Sequence, residues 1–151
     1  AQLNLGDPPS VAGWPSYYQE PQFYEIWINS DTLPKRNRFT DQLVNPGYSR
    51  NGQKIQLDPV AFAKALPNPA NPNDLITDSL DIIYSVPLSD ATREAIKRSI
   101  LLSGQDQDYY WSNAWYAHIA SPNDTMAYQM VYTRLRDLYK CLMYLPEYQL
   151  T

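Results

Sequence analysis

The segment "SPNDTMAYQMVYTRLRDLYKCLMYL", residues 121–145, decides the fold class because it holds the strongest periodic pattern of the chain. Its apolar residues recur at steps of four and three, which places them on one face of a helix. Its start, "SPND", joins a capping side chain, a proline at the first helical position and an acid in the first turn. The segment predicts a long helix over residues 123–145 with an inward stripe formed by Ala127, Val131, Leu135, Leu138, Leu142 and Leu145.

Further helices upstream are marked by the same kinds of residue. Each begins at a side chain that can cap the first free backbone N–H groups, and proline or glycine follows its end. The sequence predicts three of them: Asp58 to Leu66, Asn71 to Pro87, and Ser89 to Gly104.

Two more helices are predicted at the flanks of this region. Pro34 fits a helix only within the first turn, so its helix must begin near Ser30 or Asp31. Residues 108–120 also favour a helix, although their aromatic residues occupy more than one face. We therefore expect an all-α fold: a single helical domain over residues 1–151 with five or six helices and an irregular N-terminal strap rich in aromatic residues and proline.

One segment leaves strand and loop as alternatives. "NPGYSRNGQKIQL", residues 45–57, could form a small hairpin around Asn51-Gly52, a pair that suits a tight β-turn. A loop between two helices is the preferred interpretation, because no part of the chain shows a convincing alternation of apolar and polar residues.

Composition excludes several kinds of partner and site. The net charge of −4 provides no positive field for a nucleic-acid backbone. No apolar run approaches the roughly 20 residues of a membrane-spanning helix. One histidine and one cysteine cannot form a His/Cys zinc site. We therefore expect no nucleic acid, no membrane insertion, no metal and no cofactor. His118 is interpreted as a helical residue with a hydrogen-bonded ring, and Cys141 as a buried thiol.

The aromatic strap allows two interpretations. Its tryptophans either anchor the strap to the helical core or stack on a planar ligand such as a sugar. We expect burial for Trp14, while Trp27 fits both. Three acids, Glu20, Glu25 and Asp31, could flank a glycosidic bond, but capping and solvated acids are commoner. The candidate ligand platform consists of Trp14, Tyr17, Tyr18, Tyr24 and Trp27.

Two motifs in the strap resemble the bacterial family called domain of unknown function 1800 (DUF1800). "PPSVAGWP", residues 8–15, and "WINSDTLPKRN", residues 27–37, are similar to paired motifs in the C-terminal part of that family. The closing "LPEYQL", residues 145–150, resembles the family's ending. The long connection "SYYQEPQFYEI" is similar to Bacteroidetes-type members. The matching positions are Pro8, Pro9, Val11, Gly13, Trp14, Trp27, Ile28, Asn29, Leu33 and Arg36.

The resemblance implies a place and partners rather than a reaction. Such proteins are typically exported, which implies a periplasmic or cell-surface location, and the partners are the upstream part of the same chain and a co-encoded protein. The chain starts "AQLNLGDPP", without an initiator Met, so we expect a C-terminal fragment of a longer protein. We expect a helical packing or binding module without catalysis of its own. The alternative is a carbohydrate-binding or sugar- or ester-processing domain that uses the aromatic platform and nearby acids.

Overall fold

The computed structural model describes residues 30–149 of the 151-residue chain. This range contains seven α-helices: α1 (Thr32–Val44), α2 (Pro59–Lys64), α3 (Pro72–Ile83), α4 (Asp90–Ile96), α5 (Tyr109–Ala120), α6 (Thr125–Tyr144) and α7 (Pro146–Gln149). A π-helical turn, Lys97–Leu101, continues α4, and a two-stranded antiparallel sheet joins β1 (Tyr48–Arg50) to β2 (Gln53–Ile55). The predicted, mostly all-α fold is confirmed, with more helices than the five or six expected.

Helix α6 lies at the centre of the packing. It contacts α1, α2, α5, α7 and the π-helical turn. Its predicted stripe is confirmed, since the four central residues are fully buried and the two at the ends, Ala127 and Leu145, are half-buried. Because each fully buried leucine or valine stabilises the fold by roughly 1.5–3 kcal/mol, this single stripe is a major source of stability.

Most of the predicted helix starts are confirmed by side-chain caps. Asp58 accepts hydrogen bonds from the backbone N–H groups of Val60 and Ala61, at 2.9 and 3.1 Å. Asn71 caps α3 by accepting from the backbone N–H of Asn73 at 2.9 Å, with Pro72 as the first helical residue. These caps set where α2 and α3 begin, and therefore which of their faces meet the core.

The predicted cap of α6 is wrong by three residues. Ser121 ends α5, where its backbone N–H donates to the carbonyl oxygen of Ala117 at 3.1 Å. Asp124 caps α6 instead and accepts from the backbone N–H groups of Met126 and Ala127, at 2.8 and 3.4 Å. Because Ser121 already ends α5, the next capping residue, Asp124, begins α6.

The loop preferred between α1 and α2 is also wrong, because these residues form a hairpin. Its register pairs Tyr48 with Ile55 and Arg50 with Gln53. Asn51 and Gly52, at the turn, have φ angles of 52° and 78°. Positive φ at both central residues gives the turn whose twist matches paired strands. Apolar alternation was missing from the sequence because both strands are almost entirely exposed.

The first and last described helices are joined. The amide of Gln149 donates to the side-chain oxygen of Asn37 at 3.2 Å, and Lys140 lies 3.4 Å from the carboxylate of Asp41. The Tyr144 hydroxyl donates to the same carboxylate. These contacts hold α1 against α6 and α7, and Val44, at the end of α1, is buried in the core.

Candidate functional site

An apolar groove of about 380 Å³ opens where five helices meet. Its floor is buried and includes Tyr139 and Met143 from α6. Its rim is exposed, with Leu57 exposed by 48% and Ile82 by 63%. The complete lining is Val44, Leu57, Asp58, Pro59, Phe62, Ile82, Ile83, Tyr139, Met143 and Tyr148. Asp58 is the only charged residue of this lining, so the groove suits an apolar or aromatic group.

Ring contacts fix the shape of the groove. Phe62 meets Tyr139 edge to face, with ring centroids 5.1 Å apart. Tyr148 lies 6.3 Å from Tyr84, whose hydroxyl donates to the carbonyl oxygen of Leu142 at 2.5 Å. Burial, with Glu147 nearby, raises the pKa of Tyr84, so this hydroxyl stays protonated. The groove wall is therefore held by rigid aromatic residues.

The groove contains one polar group that lacks a partner. The Tyr139 hydroxyl is buried and has no hydrogen-bond partner among the described residues, and the same is true of Ser79 Oγ. Burial raises the pKa of Tyr139 to about 12, and the nearby Ser79 hydroxyl opposes this rise. An unpaired buried hydroxyl costs about 1–3 kcal/mol, and the Ser79 hydroxyl is the neighbouring group that can offset this cost.

A second cluster, of polar residues, surrounds Lys97 on the π-helical turn. Its ammonium group lies 2.8 Å from Glu94, 3.1 Å from Asp108 and 2.8 Å from the side-chain oxygen of Asn73. Asn73 also donates to Asp108 at 2.8 Å. Burial alone would lower the pKa of Lys97, but the two carboxylates overcome it and the pKa is raised. Every donor of the ammonium group is used, so this cluster joins helices rather than binding a ligand.

Two open clefts flank the Lys97 cluster. One, of about 210 Å³, lies between α3 and α4 and includes Thr77 and Arg93. The other, of about 320 Å³, lies between the start of α3 and α5 and includes Ser112 and Tyr116. Ser112 donates to the carbonyl oxygen of Ala70 at 2.7 Å. These clefts are polar, yet the groups between them already bond one another.

The structure corrects the interpretation of His118. The residue is helical as predicted and only 3% exposed, but neither ring nitrogen has a hydrogen-bond partner among residues 30–149. Its ring lies 6.2 Å from Trp115 and 5.7 Å from Tyr128, centroid to centroid. Burial and the positive charge of Lys64 lower the pKa of His118, so the ring is neutral. It acts here as a buried aromatic residue.

The family of the chain follows from its sequence as a whole. Residues 2–150 match the family described as protein of unknown function (DUF1800). The chain belongs to this family. No curated protein matches it, and neither does any solved structure.

Within this DUF1800 chain, the predicted ligand platform lies outside the described residues. The same holds for the family-motif positions up to Asn29 and for Glu20 and Glu25. The remaining motif residues, Leu33 and Arg36, are half-buried on α1. The third candidate acid, Asp31, is exposed and lies 2.6 Å from the ammonium group of Lys35.

The second aromatic run of this DUF1800 chain, on α5, is divided between core and surface. Trp111 is fully buried and donates its indole N–H to the carbonyl oxygen of Pro69 at 2.8 Å. Trp115 packs beside it, with ring centroids 5.8 Å apart. Tyr109 and Tyr110 are exposed and stack on each other at 4.4 Å. Core packing accounts for the two tryptophans.

Residues 30–149 of this DUF1800 chain contain neither a cluster of metal-ligating side chains nor a helix suited to span a membrane. No group of three or more His, Cys, Asp or Glu residues between Ser30 and Gln149 is placed to hold a metal ion. Among the helices of that range, none is both long and apolar enough to cross a membrane. The Cys141 thiol is half-buried, and burial raises its pKa, which disfavours the reactive thiolate.

Sequence reasoning missed the apolar groove. Its lining comes from five helices and from the segment before α2, so no single stretch of sequence carries its pattern. The signal available was the set of apolar residues that fall outside the helical stripes, such as Leu57 and Ile82.

Proposed function

We propose that this chain is a helical packing and binding module, without a catalytic step of its own, in a longer protein that bacteria export. The observation that carries the proposal is the apolar groove with its unpaired Tyr139 hydroxyl. Exposed apolar surface beside a buried floor is typical of a surface that another element covers. The occupant we propose is polypeptide of the same protein that precedes α1.

The chemistry of the groove favours polypeptide over a sugar. Sugar sites need several polar groups to pair with hydroxyls, whereas the polar side chains of the groove lining are Asp58, Tyr139 and Tyr148 alone. One oxygen of Asp58 is already used to cap α2. An apolar side chain with a single polar atom fits this lining better than a polyhydroxylated ring.

A charge placed on the groove rim tests the packing role. If polypeptide covers the groove, Ile82→Arg buries an unpaired charge and lowers the melting temperature of the full-length protein by several degrees. Ile119→Arg is the matched control, because Ile119 is an exposed isoleucine of α5 that does not line the groove. Equal melting temperatures for the two variants would contradict the proposed packing role.

The alternative, a sugar- or ester-processing domain, is tested by activity. We expect no turnover of a panel of glycans and esters by the full-length protein. Robust turnover that Glu20→Gln or Glu25→Gln abolishes would overturn the proposal in favour of the alternative. Fractionation of cells that make the protein tests export, and recovery from the cytoplasm alone would contradict it.

A further inference from the structure

Helices α5 and α6 lack the charged outer face that surface helices normally have. Residues 109–133 contain a single Asp, Glu, Lys or Arg residue, Asp124, whereas such residues make up 19% of the whole chain. The carboxylate of Asp124 is used to cap α6. Depletion of charge on an exposed face is typical of the centre of a protein interface. The outer face of these two helices therefore has the composition of a surface that another protein covers.

The exposed residues of this region are tyrosines and methionines beside one arginine. Tyr109 and Tyr110 at the start of α5 are exposed and stacked, and Met126 and Met130 on α6 are exposed as well. Arg134 donates to the carbonyl oxygen of Tyr110 at 3.2 Å, which joins the two groups. Met126, Met130 and Arg134 are spaced by four residues, so they form one stripe along α6. We call these five residues the α5–α6 face. All are of types that are enriched at interfaces.

Arg134 lacks the counter-charge that comparable cations have. It is half-buried, and its guanidinium forms no ion pair with a carboxylate of residues 30–149. The other buried or half-buried cations of residues 58–149 each pair with a carboxylate: Arg93, Lys97, Arg136 and Lys140. Partial burial lowers the pKa of Arg134. The planar guanidinium keeps N–H donors that match the two oxygens of a carboxylate, so an acid from another molecule fits here.

A second copy of this chain fits the α5–α6 face poorly. A two-fold contact would bring the same face from both copies together, and therefore two Arg134 side chains. The single acid of residues 109–134, Asp124, already caps α6, and the acids on either side, Asp108 and Asp137, already pair with cations. The net charge of −4 on each copy adds repulsion. The missing carboxylate must therefore come from a different molecule.

We propose that the α5–α6 face is a docking surface for a separate acidic protein, whose carboxylate pairs with the Arg134 guanidinium while its apolar side chains cover the tyrosines and methionines. The flexible methionine side chains can adapt to the shape of such a partner. None of the five residues lines the apolar groove, so this inference goes beyond the proposed function and does not depend on it.

Binding of two synthetic helical peptides to the full-length chain tests this inference. The first peptide has a leucine stripe flanked by glutamates, and the second has glutamine in place of each glutamate. We expect fluorescence anisotropy to show saturable binding of the glutamate peptide and at least about tenfold weaker binding of the glutamine peptide. Arg134→Glu should weaken binding of the glutamate peptide at least about tenfold. Arg50→Glu, the matched change at an exposed arginine of β1, should leave it unchanged.

Four results would overturn the inference. The first is the absence of saturable binding, and the second is equal affinity for the two peptides. The third is an equal loss with Arg134→Glu and Arg50→Glu, which indicates unspecific attraction between charges. The fourth is a loss with Ile82→Arg but not with Arg134→Glu, which assigns the peptide to the apolar groove. Circular dichroism and thermal melts check folding, and Arg134→Gln replaces Arg134→Glu if the latter is unfolded.

Oxidation of methionine tests whether the α5–α6 face is free before a partner binds. The chain has three methionines, and the buried Met143 is the internal reference. Hydrogen peroxide is expected to convert Met126 and Met130 to the sulfoxide at least about tenfold faster than Met143, and the glutamate peptide is expected to slow both reactions. Slow oxidation of Met126 and Met130 without peptide would contradict the inference, because the same chain or a second copy would then cover the face.

Discussion

Trp111 gives the sharpest test of how the core is stabilised. Trp111 is fully buried, and its indole N–H donates to the carbonyl oxygen of Pro69 at 2.8 Å. Trp111→Ala removes the ring at about 3–5 kcal/mol and leaves that carbonyl without its partner at about 1–3 kcal/mol. The sum, about 4–8 kcal/mol, is comparable with the roughly 5–15 kcal/mol that stabilises a whole domain.

Trp111→Phe separates the hydrogen bond from the ring. It keeps an aromatic ring but removes the donor, so we expect a loss of about 1–3 kcal/mol and a melting temperature lower by about 2–12 °C. Tyr116→Phe on the same helix is the control, because Tyr116 is exposed and its change is expected to stay within about 0.5 kcal/mol. Thermal and urea unfolding measure the stability of both variants. A Trp111→Phe protein as stable as the Tyr116→Phe protein would refute the reasoning.

Three further predictions concern charge and backbone. Because the pKa of His118 is lowered in the folded state, the unfolded state binds an extra proton below about pH 6.5, so urea unfolding should show that the protein becomes less stable as the pH is lowered. His118→Phe should make this loss of stability smaller, and an unchanged loss would contradict the prediction. Lys97→Met removes the cation from the half-exposed carboxylates of Glu94 and Asp108, of which Asp108 keeps its bond from Asn73, and should cost about 1–3 kcal/mol in urea unfolding, against about 0.5 kcal/mol or less for the exposed Lys35→Met; equal losses would contradict this. Gly104→Ala, at φ +83°, should lower stability by about 1 kcal/mol through backbone strain alone, since no atom lies within 4 Å of the added methyl group, and an unchanged melting temperature would be inconsistent with this.

Local signals predicted the helices well because each depends on neighbouring residues. The stripe of α6 and the caps Asp58, Asn71 and Ser89 are all present as expected. The misplaced cap at Ser121 shows the limit of such signals: two capping residues stood three positions apart, and the end of α5 decided between them.

Local sequence patterns could not predict features that depend on residues far apart in the sequence. The π-helical turn, closed by a bond from the backbone N–H of Leu102 to the carbonyl oxygen of Lys97 at 3.0 Å, has no local sequence signature. The unpaired ring of His118 depends on Trp115 and Tyr128, which belong to different helices. The groove likewise exists only after five helices have met, so its residues could not be selected from sequence alone.

The contacts between α1 and the last helices have a consequence for biosynthesis. Asp41 is synthesised 103 residues before its partner Tyr144. At about 5–20 residues per second, this interval lasts about 5–20 s. Throughout that time Val44, which is almost completely buried in the finished fold, has no α6 to cover it. Slow translation of the last third of the chain should therefore prolong exposure of α1 to proteases and chaperones.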